Sequence, residues 1–293
     1  MITDHTEQIF WDEIYEGAAK EAEKSNIYIE RFGQDLSVDY SKQDLLRMAI
    51  HSSVDGILLC GDSDPETIAL IDEAVDQGIF VGTIRQDVEE SKRQCFIGLN
   101  NYDLGLAYGH QILQVMNLNT SLPGKICILM DDTAPESTQS IVSLAIQDAF
   151  QTADPSAVLP DIKIQLVDTT DTFSAEETIR DIFMADQNLP DVIVCMNGTY
   201  TQCAYQAVVD YNHVGEIKIV GYFASDNILD AIQKGIVHSV ITVDTEKVGQ
   251  LCAQSIEEYE AAGYTNSYVP VEIKVIGKEE AEELLHEEEL SGE

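Results

Sequence analysis

The sequence predicts an α/β protein built on doubly wound parallel sheets. Short, continuously apolar runs recur along the chain, the pattern of strands covered on both faces. Segments with helical spacing separate them. The strand–helix period of about 25–35 residues implies βαβ units with right-handed crossovers. At 293 residues, the chain is long enough for two such lobes or one large one.

Strands are expected at 56–60, 79–84, 95–100, 125–130, 162–168, 192–196, 217–223, 239–244 and 271–276. The first helix is read from Phe10, Ile14, Ala18 and Ala22, which fall four apart and line one face. Further helices are expected near 41–51, 65–77, 102–116, 136–151, 175–185, 199–211, 227–233 and 246–261. The punctuation agrees: Asp64 is an N-cap with Pro65 in the first helical position. Gly78 stands between a helix and a strand, where a left-handed C-cap belongs, and Gly215 and Gly235 occupy similar stops. A helix starting near Ile9 should follow a strand, yet only residues 1–3 remain to form it. The expectation is that the chain begins inside that strand and that the natural precursor carries further residues upstream.

Composition narrows the function classes. The chain carries 53 acidic and 16 basic side chains, a formal net charge of −37. Such a surface repels nucleic acid phosphates and anionic membranes. No apolar run approaches the roughly 18 residues of a membrane span, and Met1-Ile2-Thr3-Asp4 has neither the basic start nor the apolar run of a secretion signal. Part of the acidity is local: residues 277–293 carry eight Glu and one Lys and read as a frayed helix, tail or linker. Cys60, Cys95, Cys127, Cys195, Cys203 and Cys252 include no CxxC pair. Four sit in or at the start of apolar strand-like runs, so they read as buried free thiols rather than disulfides or metal ligands.

Catalytic and cofactor signatures are missing. There is no phosphate loop, no GxGxxG after a strand, no GxSxG elbow and no HExxH. The six histidines are scattered, with no metal-ligand spacing between any two. Asp62 and Asp64 are paired carboxylates at a strand end, where helix capping competes with metal or acid–base chemistry. Asp131 and Asp132 form a second pair, better suited to hydrogen-bonding a ligand than to catalysis. Strand ends carry weight because open α/β sheets bind ligands outside their carboxyl edge. Those ends supply the candidate ligand-binding residues Gln8, Phe10, Trp11, Arg85, Asn101, Asp131, Thr133, Ser137, Asn197, Phe223, Asp226 and Asp244. Hydrogen-bonding groups, aromatic rings and one cation suit a small polar molecule. They contain no nucleophile–base pair, so a binding protein without cofactor or metal is expected, not an enzyme.

A set of ordered motifs adds to this reading. They are Ile9-Phe10-Trp11-x5-Gly17-Ala18-x3-Ala22, Val54-Asp55-Gly56-Ile57-Leu58, Ala74-x3-Gly78-Ile79-x-Val81 and Ile97-Gly98-x-Asn100-Asn101-Tyr102-x2-Gly105. Pro190-Asp191 ahead of Asn197 and Tyr200, Ile219-Val220-Gly221-Tyr222, Ile232-x2-Gly235 and Val243-Asp244-x4-Gly249 follow. In this order and spacing the chain resembles the type I periplasmic binding proteins and the related effector-binding cores of lac-repressor-like regulators. The resemblance implies two doubly wound lobes joined by three hinge crossings, with a ligand gripped between them by hinge closure. Lobe one would be 1–101 plus 244–267, lobe two 102–243 plus 268–277, and 278–293 an acidic tail. The hinges would lie near Asn100–Asn101, at 243–244 and at 268–270.

The resemblance places the family's aromatic sandwich on Phe10 and Trp11, beside Gln8, and its second-lobe asparagine on Asn197. Adjacent helix positions point in different directions, so at least one of the two rings is expected to face the cleft. Four positions depart from the pattern of the sugar binders: Arg85-Gln86 stands for Asp then Arg, Ser140 for an arginine, Phe223 for an aspartate with Asp226 nearby, and Val243 for a glutamine. A sugar site needs such groups, because each unpaired buried polar group costs about 1–3 kcal/mol. Their loss argues against a ribose- or galactose-type ligand. Arg85 with two aromatics suits a carboxylate, an amide or a heteroaromatic ring, unless it forms a surface ion pair with Asp87 or Glu89.

The function expected is a solute-binding protein feeding an importer of the ABC transport type, or the ectodomain of a membrane sensor. Its partners would be the small polar, sugar-like solute and a membrane transporter or sensor module, with no nucleic acid bound by this segment. It would be extracytoplasmic and membrane-anchored in the native protein. The alternative is the cytoplasmic effector-binding core of a lac-repressor-like regulator without its DNA-binding head.

Overall fold

A computed structural model of the chain describes residues 1–3, 7–34, 36, 38, 40–116, 124–168, 172–184 and 189–291. The chain divides into two compact units, Met1–Leu99 with Val243–Glu272, and Asn100–Thr242 with Ile273–Glu293.

In the first unit, β1 (Gly56–Cys60), β2 (Phe80–Ile84), β3 (Cys95–Gly98) and β9 (Tyr268–Pro270) form a parallel sheet in that order. Ile2 bridges in parallel to Leu59 on the free side of β1, and Phe32 N–H donates to Met1 O at 2.9 Å beyond it. Helices α1 (Gln8–Ala22), α2 (Lys42–His51), α3 (Pro65–Asp76) and α9 (Thr245–Ala262) cover the sheet. Leu46, Ile57, Leu59, Ile71, Ala74 and Val81 anchor one core face. Asp64 caps α3 by accepting from Glu66 N–H at 2.8 Å, with Pro65 at its first position. Gly78 turns the chain into β2 at φ 86°, a conformation that costs a residue with a Cβ.

The second unit carries β4 (Lys125–Asp131), β5 (Asp161–Val167), β6 (Val192–Cys195), β7 (Lys218–Tyr222), β8 (Ser239–Val243) and β10 (Ile273–Ile276), in the order β10-β8-β7-β6-β4-β5. Its helices are α4 (Asn101–Val115), α5 (Glu136–Ala153), α6 (Thr172–Met184), α7 (Gly198–Asp210), α8 (Asp226–Gln233) and α10 (Lys278–Ser291). Strands β6 and β8 are wholly buried and β7 is buried beyond Lys218, as their continuous apolar runs require. Edge strand β5 instead alternates exposed and half-buried residues over most of its length.

Each sheet has a point where the winding reverses. In the second, β5 lies outside β4 and the chain then crosses to β6 on the other side. The switch point is therefore the gap between the ends of β4 and β6. In the first unit it falls between the Ile2 segment and β1, with residue 32 bonded on the outer side. Such points leave an open crevice at the carboxyl edge.

Three expectations are corrected. The stretch 271–276 is not one strand: β9, 268–270, pairs with β3 of the first sheet, while β10 joins the second. Residues 268–272 thus belong with the first unit, and the third crossing falls at 272–273. The acidic segment expected as a tail forms α10 over its described residues, Lys278–Ser291. Ala281 of α10 is fully buried in the second unit's core, Leu285 packs against it, and Gln233 donates to Lys278 O at 2.7 Å.

All six cysteines are free and buried. Burial pushes the Cys127 and Cys203 thiols up to about 11 and raises Cys95, Cys195 and Cys252 as well. These thiols stay neutral in the fold while those of an unfolded chain ionise near 9.0. Their contribution to stability is present below that pH and is lost as pH rises toward 11. Native protein at pH 8 is expected to leave Ellman's reagent unreacted, with all six thiols released only in denaturant; rapid native labelling of two or more contradicts this burial.

Candidate functional site

At the first unit's switch point stand Glu7, one residue ahead of α1, and Asp62, two residues beyond β1. Both are buried acids, and each has a cation. Glu7 pairs with Arg85, and their side chains are 3% and 11% exposed. Lys42 Nζ lies 2.9 Å from Asp62 Oδ2. Arg85 follows β2 directly and holds φ 67° while its N–H donates to Ile97 O of β3 at 3.0 Å. Its guanidinium carbon sits 5.8 Å from the Phe10 ring centroid. Phe10 in turn meets Trp11 edge-on at 5.3 Å.

The second unit repeats this geometry with other residues. Phe223 follows β7 directly at φ 60°, and its N–H donates to Ile241 O of β8 at 2.9 Å. Arg85 and Phe223 are thus equivalent positions in two copies of one strand-end turn. A left-handed backbone costs an L-residue about 1–2 kcal/mol, and such strain gathers at binding sites. Thr201 braces the second turn, accepting from Tyr222 N–H at 2.9 Å and donating to Asn197 O at 2.9 Å.

The second switch point is spanned by a hydrogen-bonded trio. Asp131, at the end of β4, accepts from Asn197 Nδ2 at 3.0 Å and from the Tyr200 hydroxyl at 2.7 Å, both on Oδ1. Asn197 also caps α7 through Tyr200 N–H at 2.8 Å. Asn197 and Tyr200 are buried and Asp131 is half-exposed. Two buried donors on one oxygen hold the carboxylate as an oriented acceptor at the crevice.

The remaining candidates are spread along the same edges. Asn101 donates to Thr138 Oγ1 at 3.2 Å, and Thr133 is half-buried in the turn after β4. Gln8, Ser137 and Asp226 are exposed in the first turns of α1, α5 and α8. Asp244 caps α9, accepting from Lys247 N–H at 2.9 Å. Asp64 is likewise a cap, while its neighbour Asp62 holds Lys42.

Two expectations fail on geometry. Neither ring of the aromatic pair is exposed: Phe10 is 2% and Trp11 0% accessible. The buried stripe of α1 is wide enough for both, because Trp11, Ile14, Ala18 and Ala22 form a second row at three- and four-residue spacing beside Phe10. Nor is Arg85 paired with Asp87, which is taken by Arg93 Nε at 2.6 Å. Sequence reading missed Glu7 and Tyr200. Tyr200 stands three residues after Asn197, on the first turn that the asparagine caps, and that spacing was the available signal. Among the described residues no group of three or more His, Cys, Asp or Glu is arranged to hold a metal.

A family model described as periplasmic binding protein domain matches residues 1–263. The chain belongs to the type I periplasmic binding protein family. Its fold is shared with solved members. A structure described as the XylFII-LytSN complex aligns at TM-score 0.76 and 21% identity, over 95% of this chain and 97% of that one. GanP, a glucose-galactose binding protein from Geobacillus stearothermophilus, aligns at 0.78 and 19%, over 95% and 96%. AraP, an arabinose binding protein from the same organism, aligns at 0.73 and 16%, over 97% of each chain. No curated protein sequence matches. At these identities the likeness is one of fold, and the periplasmic binding protein's own edge residues must carry any statement about its solute.

Proposed function

We propose that the chain is a solute-binding protein or sensor ectodomain that captures a small, uncharged, sugar-like molecule through its strand-end groups. Movement about the three chain crossings would be the signal to a membrane transporter or sensor module. The observation that carries this reading is the Asp131–Asn197–Tyr200 trio at a switch point. A fixed carboxylate acceptor suits a solute rich in hydroxyl or amine donors. The Glu7–Arg85 pair turns the reading away from organic acids, since a carboxylate solute would have to displace a buried acid from its cation. The solutes named for GanP and AraP, glucose, galactose and arabinose, support the same class, and XylFII was solved in a complex with LytSN. No groups for bond-making chemistry are invoked, so the role is binding. Because a binding protein of this family acts where it meets transported solutes, an extracytoplasmic setting belongs to the proposal.

A thermal-shift screen of sugars, amino acids, nucleosides and organic acids tests it. A ligand at about 100 times its Kd stabilises the native state by about 2.7 kcal/mol, so a monosaccharide or a close relative is expected to raise the melting temperature by several degrees. Stabilisation by organic acids alone would overturn the proposal.

A further inference from the structure

Arg85 pairs with Glu7, far away in sequence, while Asp87 follows it by two residues along the chain. Asp87 is saturated by other donors. It accepts from Arg93 Nε at 2.6 Å and Nη2 at 2.5 Å, from Val88 N–H at 2.7 Å and from the Thr83 hydroxyl at 3.3 Å. Arg93 is itself held on two more sides. Its Nη1 donates to Ser267 O at 2.8 Å, just before β9, and its guanidinium carbon lies 6.0 Å from the Phe96 ring, which stacks on Tyr268 at 5.6 Å. The Arg93 and Asp87 side chains are only 12% and 19% exposed.

We propose that Arg93 is a positioning residue for the solute site: by occupying Asp87 with its fork, it keeps Arg85 on Glu7 at the switch point. This inference rests on the reading that Arg85 meets the solute. A carboxylate two residues on in sequence can compete for a guanidinium, because a local pair loses little chain entropy on forming. The left-handed backbone at Arg85 is held only while its surroundings over-determine it. The planar Arg93 fork satisfies both oxygens of Asp87, which leaves Arg85 to Glu7. Without Arg93, Asp87 draws Arg85 inward and the strand-end turn relaxes.

The design that separates positioning from bracing is a rescue. Four variants are needed: Arg93→Gln, Arg93→Lys, the double variant Asp87→Asn/Arg93→Gln, and Arg85→Gln. Each is titrated calorimetrically with D-glucose, D-galactose, D-xylose and L-arabinose. The emission of Trp11, the chain's single tryptophan, is read without solute. Trp11 contacts Phe10, over which Arg85 lies, so it reports the Arg85 position whether or not a sugar binds. Arg93→Gln is expected to weaken binding about tenfold and to shift Trp11 emission. The double variant, which removes the competing carboxylate but keeps an acceptor for Val88, returns both to near the parent values. Arg93→Lys, a point charge without the fork, lies between and carries the measurement should Arg93→Gln fail to fold. Equal loss in the single and double variants overturns the inference, because a brace is not restored by removing its partner. An unchanged emission and affinity in Arg93→Gln overturns it too. If Arg85→Gln alone leaves sugar affinity untouched, the site reading fails, while the emission rescue still decides whether Arg93 positions Arg85.

Discussion

Replacing Gly249 by alanine is expected to destabilise the first unit by about 3 kcal/mol, the upper range for overpacking a filled interface. Gly249 of α9 lies against the backbone of α1: a Cβ there would come 2.5 Å from Ala18 N and 2.9 Å from Gly17 C, with Ile14 O closer still. Gly17 returns the contact, since its own Cβ would stand 2.9 Å from Glu246 Cα. Backbone atoms cannot rotate away as a side chain does, so the two helices must separate. Helix α1 carries Phe10 and Trp11, so the loss reaches the candidate site. Urea unfolding followed by Trp11 emission reports the first unit alone, and the variant's midpoint should fall well below the parent's. An unfolding free energy within about 0.5 kcal/mol of the parent's, the scatter of ordinary surface changes, contradicts the close helix contact.

The second large effect is on binding. Asp131→Ala is expected to weaken solute affinity about a hundredfold, the loss when one side of a charged hydrogen-bonded contact is removed. The substitution takes away the oriented acceptor and leaves the Asn197 amide and Tyr200 hydroxyl facing the crevice without it. Tyr200→Phe should cost less, about tenfold, because it frees the carboxylate to turn but leaves it in place. Titration of both variants checks the order, and equal affinity in Asp131→Ala and the parent contradicts it.

The strands and helices were legible because this fold writes its core plainly. Runs such as Gly56–Cys60 are covered on both faces, and stops such as Gly78 sit where the backbone needs them. What stayed hidden has physical causes. The strand Tyr268–Pro270 is three residues long and ends in proline, too short for any period to show. Half of the helix α10 is glutamate, and the apolar residues that attach it, Ala281 and Leu285, are too few to show as a pattern. Of the proposed site, Arg85, Asp131, Asn197 and Phe223 could be picked from strand ends, since parallel strands put the carboxyl edge of each sheet on one side of that sheet. Their partners could not. Glu7 and Arg85 are separated by 78 positions, and the choice of Arg85 between Glu7 and Asp87 depends on Arg93. The wide buried stripe of α1, which takes in both Phe10 and Trp11, reflects how many neighbours a helix has, and one strand of sequence does not state that.

The most direct test of the account is the structure of the protein with the best solute from the thermal-shift screen. The expected result is an uncharged, hydroxyl-rich molecule with one donor on the Asp131 carboxylate, and the Glu7–Arg85 pair intact. A solute seated away from both switch points, or an anionic group on Arg85 with Glu7 displaced, would contradict it.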